Sequence, residues 1–488
     1  MRKLTWLGSD ARTVAVCAIT SVVAWSVVAC GGGSNSSARV SSAGDSGSET
    51  TPPNGGSSGK NAGGSSGSGG AGSAKGGTSS TGGSSGTGGK SAGGMSGGGT
   101  SNGGSGGGPV TVTKTCTGSN GTCNTTLPSG APSLTAGTWA NIGPTGVPFG
   151  GGNSATFTQG IAMDPCNAST LYLCVDGFDT AASKAGLYKS TDAGSSWNLV
   201  GAISSSTATN LDEPIRVRID PKNSQHLYVV DGVRGNSEGF WVSCDGGNTF
   251  YTPDGFANLQ TTQGLFQLDT YDAAVDPTDF NHVLVTSHSA WGWTDTKWNT
   301  ASGVLESKDG GNTWTAHAPS ASSWGTGHAI AFLYNPALNI GDANTWLLST
   351  QGGTRYRTTD AGNTWTEVSS AGGIEHGGGT IYYDSKGVLY ASGYPSNQRS
   401  TDNGVTWTAI GSGSSGFTAI LGDGTTLYTA PTFGPTAFYT SPESDGTNFT
   451  AFNSQMFDQG PFELVYDSAN KILYSGTWQA GMWALKVK

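Results

Sequence analysis

Two carboxyl groups and a guanidinium recur at one place in a repeated pattern. Asp272 and Glu463 each stand four residues ahead of a turn aspartate, Asp276 and Asp467, with a short apolar run between; Arg216 and Gly160 hold the same position ahead of Asp220 and Asp164. Aligned residues of repeated strands reach one level of a closed assembly, so these side chains are expected to converge. A third acid, Asp176, follows the run Leu171-Tyr172-Leu173-Cys174-Val175. Paired carboxyls, one with a raised and one with an ordinary pKa and about 5 to 9.5 Å apart, supply the acid and the nucleophile or base of glycoside hydrolysis. The plainer reading of Arg216 with Asp272 is an ion pair between neighbouring units.

The same rim is expected to receive Gln159, Glu213, Asp269, Tyr271, His328, Glu375, His376, Asp458 and Gln459, and loops further along the units add Asp179, Asp231, His288 and Gln351. Tyr271, His328 and His376 could bind a substrate; Tyr271 or His376 with Arg216 could instead serve the proton transfers of a polysaccharide lyase. The segment 289–302 carries Trp291, Trp293 and Trp298 among polar residues, and indole faces displayed this way stack on sugar rings. Each has a bland alternative: the histidines can bond neighbouring backbone, and the tryptophans can pack their own loop.

The elements that position these groups are legible from a second repeat. Ser190-x-Asp192-x-Gly194-x-x-Trp197 returns at Asp245, Asp309, Asp360 and Asp402, and in eroded form at Asp445. Asp accepts hydrogen bonds from nearby backbone N–H groups, Gly takes a positive φ and the aromatic packs onto a sheet, which pins a hairpin turn. Ahead of each turn runs the same order of strand, Asp-Pro-type turn and strand, with almost no helical periodicity, as in Val217-Arg218-Ile219-Asp220-Pro221 followed by Leu227-Tyr228-Val229. Each unit is one four-stranded blade, and strands beginning near residues 161, 216, 273, 329, 380, 418 and 463 predict an all-β, seven-bladed propeller over 138–488, six and eight being the neighbouring counts. The last unit lacks a fourth strand, which Thr138-Trp139-Ala140-Asn141-Ile142 can supply from the start of the domain.

The repeated turn resembles the Asp-box, or BNR repeat, of a β-propeller superfamily that includes sialidases, xyloglucanase-type glycoside hydrolases, sortilin-like receptors and photosystem assembly factor-like proteins. The resemblance implies that the turn aspartates are structural and lie away from the ligand face. Sialidases use three arginines and an Arg-Ile-Pro motif that this sequence lacks. The xyloglucanase type carries an acid after an early strand, which implies a role for Asp176; Val175-Asp176-Gly177 lacks the Thr and paired Gly of that pattern. An assembly-factor likeness implies instead a scaffold that binds a protein or an envelope partner. Glycan binding with hydrolysis, non-catalytic binding and lyase chemistry therefore stand side by side.

The remaining sequence concerns address and solubility. Residues 1–30 carry a basic start, an apolar stretch and Val27-Val28-Ala29-Cys30, which resembles a bacterial lipobox with Cys30 as the lipidated residue; an ordinary signal peptide is the alternative. Residues 31–108 hold 31 Gly and 21 Ser in 78 positions and read as a disordered linker, roughly 50 Å in root-mean-square span. A short cysteine-containing lead-in, 109–137, precedes the propeller. The expected location is the cell envelope, with the membrane touched only through the lipid.

Residues 1–30 and 31–108 each carry a net charge of +2, leaving −14 on the rest against −10 for the chain, which disfavours nucleic acid as a partner. A polysaccharide, an envelope glycan or a protein remains. No dinucleotide, phosphate-loop or metal-ligand spacing stands out, so neither cofactor nor metal is expected. Cys116 with Cys123, and Cys166 with Cys174, are close enough in sequence to suggest local disulfides, leaving Cys244 over.

Overall fold

The computed structural model describes residues 115–488 except 151–155, 178–183, 204–209, 233–236, 262–268, 289–302, 318–326, 352–353, 371–380, 394–395 and 412–416. Seven antiparallel sheets succeed one another along the chain. Blade 1 is Thr156–Asp164, Asn167–Gly177, Gly186–Ser190 and Asn198–Val200; blade 3 is Thr270–Val275, Val283–Ser287, Val304–Ser307 and Thr315–His317. Blades 4, 5 and 6 repeat the order from Gly327, Ile381 and Phe417. Blade 7 has Pro461–Asp467, Ile472–Thr477 and Gly481–Lys486, and its fourth strand is Trp139–Asn141, paired Trp139 to Leu485 and Asn141 to Trp483. The two ends of the domain thus close one sheet, as the sequence predicts, and no open edge remains there.

Blade 2 departs from the pattern. Its first three strands are Pro214–Asp220, Asn223–Asp231 and Gly239–Ser243, while Thr249–Phe250 runs parallel to Ala202–Ile203 and only the next residue, Tyr251, pairs antiparallel with Val242 of the third strand. A helix the periodicity did not announce, Asp254–Thr261, follows and buries Phe256 and Leu259 against Ile215, Tyr228 and Trp314. Eight residues with two buried apolar positions are too short to leave a period in the sequence, and packing rather than propensity holds them.

The repeated turns close each outer hairpin in one way. Asp192, Asp245, Asp309, Asp360 and Asp402 accept the N–H four residues on at 2.8–2.9 Å through one oxygen. Through the other they accept that residue's hydroxyl at 2.6–2.7 Å. The Ser or Thr two residues earlier donates to the Asp and accepts the Gly N–H. Two successive residues take positive φ, as at Asp360-Ala361-Gly362 (54° and 78°), and a Cβ at Gly362 would lie 2.8 Å from the His317 ring and from Trp346. Burial pushes the Asp402 carboxyl up, but hydrogen bonds from Thr406 and Ser400 outweigh it and hold it down to about 2.

The lead-in corrects the expected cysteine pairing. Cys116 is bonded to Cys244 and Cys123 to Cys166, while Cys174 is a buried free thiol. Asn120 N–H donates to Lys222 C=O and Asn124 N–H to Cys166 C=O, so the lead-in runs beside the turns of blades 1 and 2 and brings its cysteines to theirs. Cys166 sits in the turn before strand Asn167–Gly177 and Cys174 well inside it. At about 3.3 Å per residue the two lie roughly 25 Å apart, beyond any disulfide.

Proteolysis without reduction is expected to yield linked peptides for Cys116–Cys244 and Cys123–Cys166, with Cys174 alkylated only after unfolding. The 128-residue separation of the first pair sets an upper estimate of about 5 kcal/mol for its loop-closure contribution, so Cys244→Ser should lower the denaturation midpoint clearly.

Candidate functional site

At the mouth, where first strands begin and second strands end, six blades carry the same irregularity. Register shifts fall at Thr158/Gly160, Pro214/Arg216, Thr270/Ala273, Gly327/Ala329, Phe417/Ala419 and Pro461/Glu463. A bulge turns its strand and re-aims the side chains beside it. Here it brings Arg216, Asp272 and Glu463 together, as their alignment predicts. Arg216 Nε lies 3.3 Å from Asp272 Oδ1 and its Nη1 lies 3.9 Å from Glu463 Oε2. Gly160, the fourth aligned residue, makes room: a Cβ there would stand 2.5 Å from Ile215 C=O, 3.1 Å from Glu463 Oε2 and 3.2 Å from Arg216 Nη1.

Arg218 joins the three and was not anticipated. Its Nη1 lies 3.1 Å from Glu463 Oε1 and its Nη2 3.5 Å from Asp272 Oδ1. The signal was its spacing, since residues two apart on a strand share a face. Each carboxylate also reaches a backbone N–H of the next blade: Glu463 Oε2 accepts from Ile161 at 2.9 Å and Asp272 Oδ2 from Ile330 at 3.1 Å. Arg216 Nη1 donates to Gln159 C=O at 2.6 Å, and Arg218 Nε to Ala273 C=O at 2.8 Å. Blades 7, 1, 2, 3 and 4 are stitched in sequence.

Arg216 and Asp272 are each 1% exposed and Glu463 5%. Burial works against the Arg216 cation, yet Glu463 and Asp272 outweigh it and raise its pKa. Burial also pushes Asp272 up against the opposing pull of Arg216 and Arg218. A buried guanidinium requires counter-charge, and Asp272 and Glu463 stand where they supply it to Arg216.

Asp176 and Asp231 stand near the ends of the second strands of blades 1 and 2, one register position apart, since Val175 pairs with Thr158 as Asp231 pairs with Pro214; both are fully buried. Asp176 accepts from Gln159 Nε2 at 3.0 Å and from Gly177 N–H at 2.6 Å. Asp231 accepts from Glu213 N–H at 3.2 Å. Its pKa is pushed well up by burial first and then by the charge of Asp212, with Asp176 adding to it. In blade 3, His288 Nδ1 lies 3.2 Å from Asp269 Oδ2. The His288 and His328 rings stack at 5.4 Å, and Tyr271 stacks on His328 at 4.6 Å. Tyr271 and His328 are buried rather than displayed. Trp291, Trp293, Trp298 and His376 lie outside the described residues.

An aromatic group on blades 6, 7 and 1 escaped the sequence reading. Trp478 contacts Phe157 at 4.2 Å, Phe462 at 5.1 Å and Phe433 at 5.8 Å. Phe462 in turn lies under the Arg216 guanidinium at 5.4 Å. Phe157 and Phe462 sit on first strands, but Phe433 and Trp478 come from loops, which no alignment of repeats superimposes.

No family model matches the chain, and no curated protein matches it. Similar solved structures include an ancestral GH74 enzyme, 18% identical over 72% of this chain and 46% of its own, with a TM-score of 0.45. The extracellular domain of a hybrid two-component system from B. thetaiotaomicron is 14% identical over 72% of this chain and 42% of its own, TM-score 0.49. YCF48 from Cyanidioschyzon merolae is 10% identical over 72% of this chain and 99% of its own, TM-score 0.47. This chain spans less than half the length of the first two. Likeness at this level extends to sheets and not to the residues of a site.

The raised Asp231 carboxyl has a defined consequence. A folded-state pKa above the unfolded value makes stability rise as pH falls through the folded value, because the folded state binds the extra proton. Asp231→Asn is therefore expected to be more stable than wild type near pH 8 and to lose that advantage towards pH 4, read from denaturation midpoints at the two pH values; a pH-independent difference would contradict the assignment.

Proposed function

We propose that the protein is an exported, lipid-anchored Asp-box propeller of the cell envelope that binds a polysaccharide or envelope glycan at its mouth without cleaving it. One observation carries the choice of binding over cleavage. The two carboxylates that converge, Asp272 and Glu463, are buried around Arg216 and Arg218 and also accept backbone N–H groups. A glycosidase pair must instead face the scissile bond, with one member free to give up its proton. The aromatic loops and the buried acids of blades 1 to 3 leave a mouth suited to neutral, hydroxyl-rich ligands. The net negative charge of the chain disfavours a polyanion.

Hydrolysis is the second reading, and Asp231 favours it. A carboxyl pushed well up by burial, with the charges of Asp212 and then Asp176 adding to it, has the character of one member of an acid and base pair. A protein ligand on the same face is the third outcome that an experiment can separate.

Purified 109–488 screened against plant, fungal and bacterial polysaccharides should bind at least one without releasing reducing ends. Release abolished by Asp176→Ala or Asp231→Asn would establish the hydrolytic reading, whereas failure to bind any glycan would point to a protein ligand. In cells, Cys30→Ser should move the full chain out of the membrane fraction; unchanged fractionation would remove the lipid anchor.

A further inference from the structure

Phe433 is one of the few large apolar side chains left at the surface, 45% exposed, and it stands at the mouth. Leaving an aromatic ring in water forgoes about 25 cal/mol for each Å² of apolar surface that burial would remove. Its loop is nevertheless fixed. Gly434 N–H donates to Gln459 Oε1 at 2.7 Å, Gly460 N–H to Thr432 C=O at 2.8 Å, and Thr432 Oγ1 to Pro461 C=O at 2.6 Å. The neighbouring loop of blade 7 is tied to the same segment, since Trp478 N–H donates to Gly460 C=O at 2.8 Å. Phe433 therefore stands edge-on to Trp478, with an interplanar angle of 83°, on a platform that needs no ordering when a ligand arrives.

Polar side chains lie on the segments that hold the ring, and Gln459 is bonded to its loop. Asp458 is exposed, and Gln459 and Gln479 are half-buried. Gln479 is held at φ 54° in the turn Trp478-Gln479-Ala480, a conformation that glycine takes at lower cost. Behind the platform, Phe157 contacts Trp478 and is the cross-strand partner of Asp176. A ring with an apolar face, held by segments that carry neutral amides and a carboxylate, matches the pattern of a pyranose: C–H groups on one face and hydroxyls around the edge.

We propose that Phe433, backed by Trp478 and flanked by Gln459 and Gln479, forms a stacking subsite for one neutral pyranose of a polysaccharide. The subsite rests on the glycan-binding reading. It gives the mouth a defined end, on blades 6, 7 and 1, opposite the histidine stack of blades 3 and 4. The stacked ring would meet the amides of Gln459 and Gln479 with its equatorial hydroxyls, and the carboxylate of Asp458 would repel uronic acids at that position.

Affinity electrophoresis through gels containing xyloglucan, galactomannan, mixed-linkage β-glucan or polygalacturonate, with purified 109–488, tests this. Wild type should be retarded by at least one of the three neutral polymers and not by polygalacturonate. Phe433→Ala should weaken that binding at least tenfold, while Leu199→Ala, an exposed apolar residue on the outer strand of blade 1, should leave it unchanged. Gln479→Gly should raise the melting temperature by relieving the backbone and still weaken binding. Wild-type retardation that survives Phe433→Ala would overturn the subsite and leave glycan binding standing; absence of retardation in every neutral gel would overturn both.

Discussion

A guanidinium buried at the centre of a ring of sheets cannot stand alone, because the penalty for an unpaired buried charge is several kcal/mol. Arg216 meets that constraint with Asp272 from one neighbouring blade and Glu463 from the closing blade. Each carboxylate spends a further lone pair on the backbone of yet another blade. Much of the mouth follows: the bulges that re-aim the first strands, the glycine at position 160 that leaves space for the ions, and the engagement of the acids that sequence alignment brings together. The electrostatic centre of the propeller is thus a joint between blades.

Closure of the ring is the second determinant. Strand Trp139–Asn141 completes blade 7, and the lead-in before it is bonded covalently to the turns of blades 1 and 2. Together they pin the part of the ring where the two ends of the domain meet. That fixed frame supports the loops of blades 6, 7 and 1, where the aromatic group stands, so an exposed ring can be held in place without a large core of its own beneath it.

Repetition made the architecture legible. Five copies of one turn and a shared strand order disclosed the blades, the closing strand and the convergence of Arg216, Asp272 and Glu463, because local chemistry recurs where it is needed for each sheet. What remained hidden was non-periodic. The Cys116–Cys244 pairing spans 128 residues and depends on the path of the lead-in. The helix Asp254–Thr261 is short and held by contacts from distant strands. Burial of Asp272 and Glu463 could not be separated in the sequence from display at a channel, since an ion pair and a catalytic pair use the same residue types. Phe433 and Trp478 lie in loops whose neighbourhood only the closed ring creates.

A double-mutant cycle on Arg216 and Asp272 tests the central claim most directly, comparing unfolding free energies of wild type, Arg216→Met, Asp272→Asn and the double variant at neutral pH. A structural ion pair predicts that each single change is strongly destabilising and that the two are coupled by about 1.5 kcal/mol or more, the double variant recovering part of the loss. Additive effects within about 0.5 kcal/mol would mean that the carboxylate does not serve the guanidinium, and would return Asp272 to the ligand.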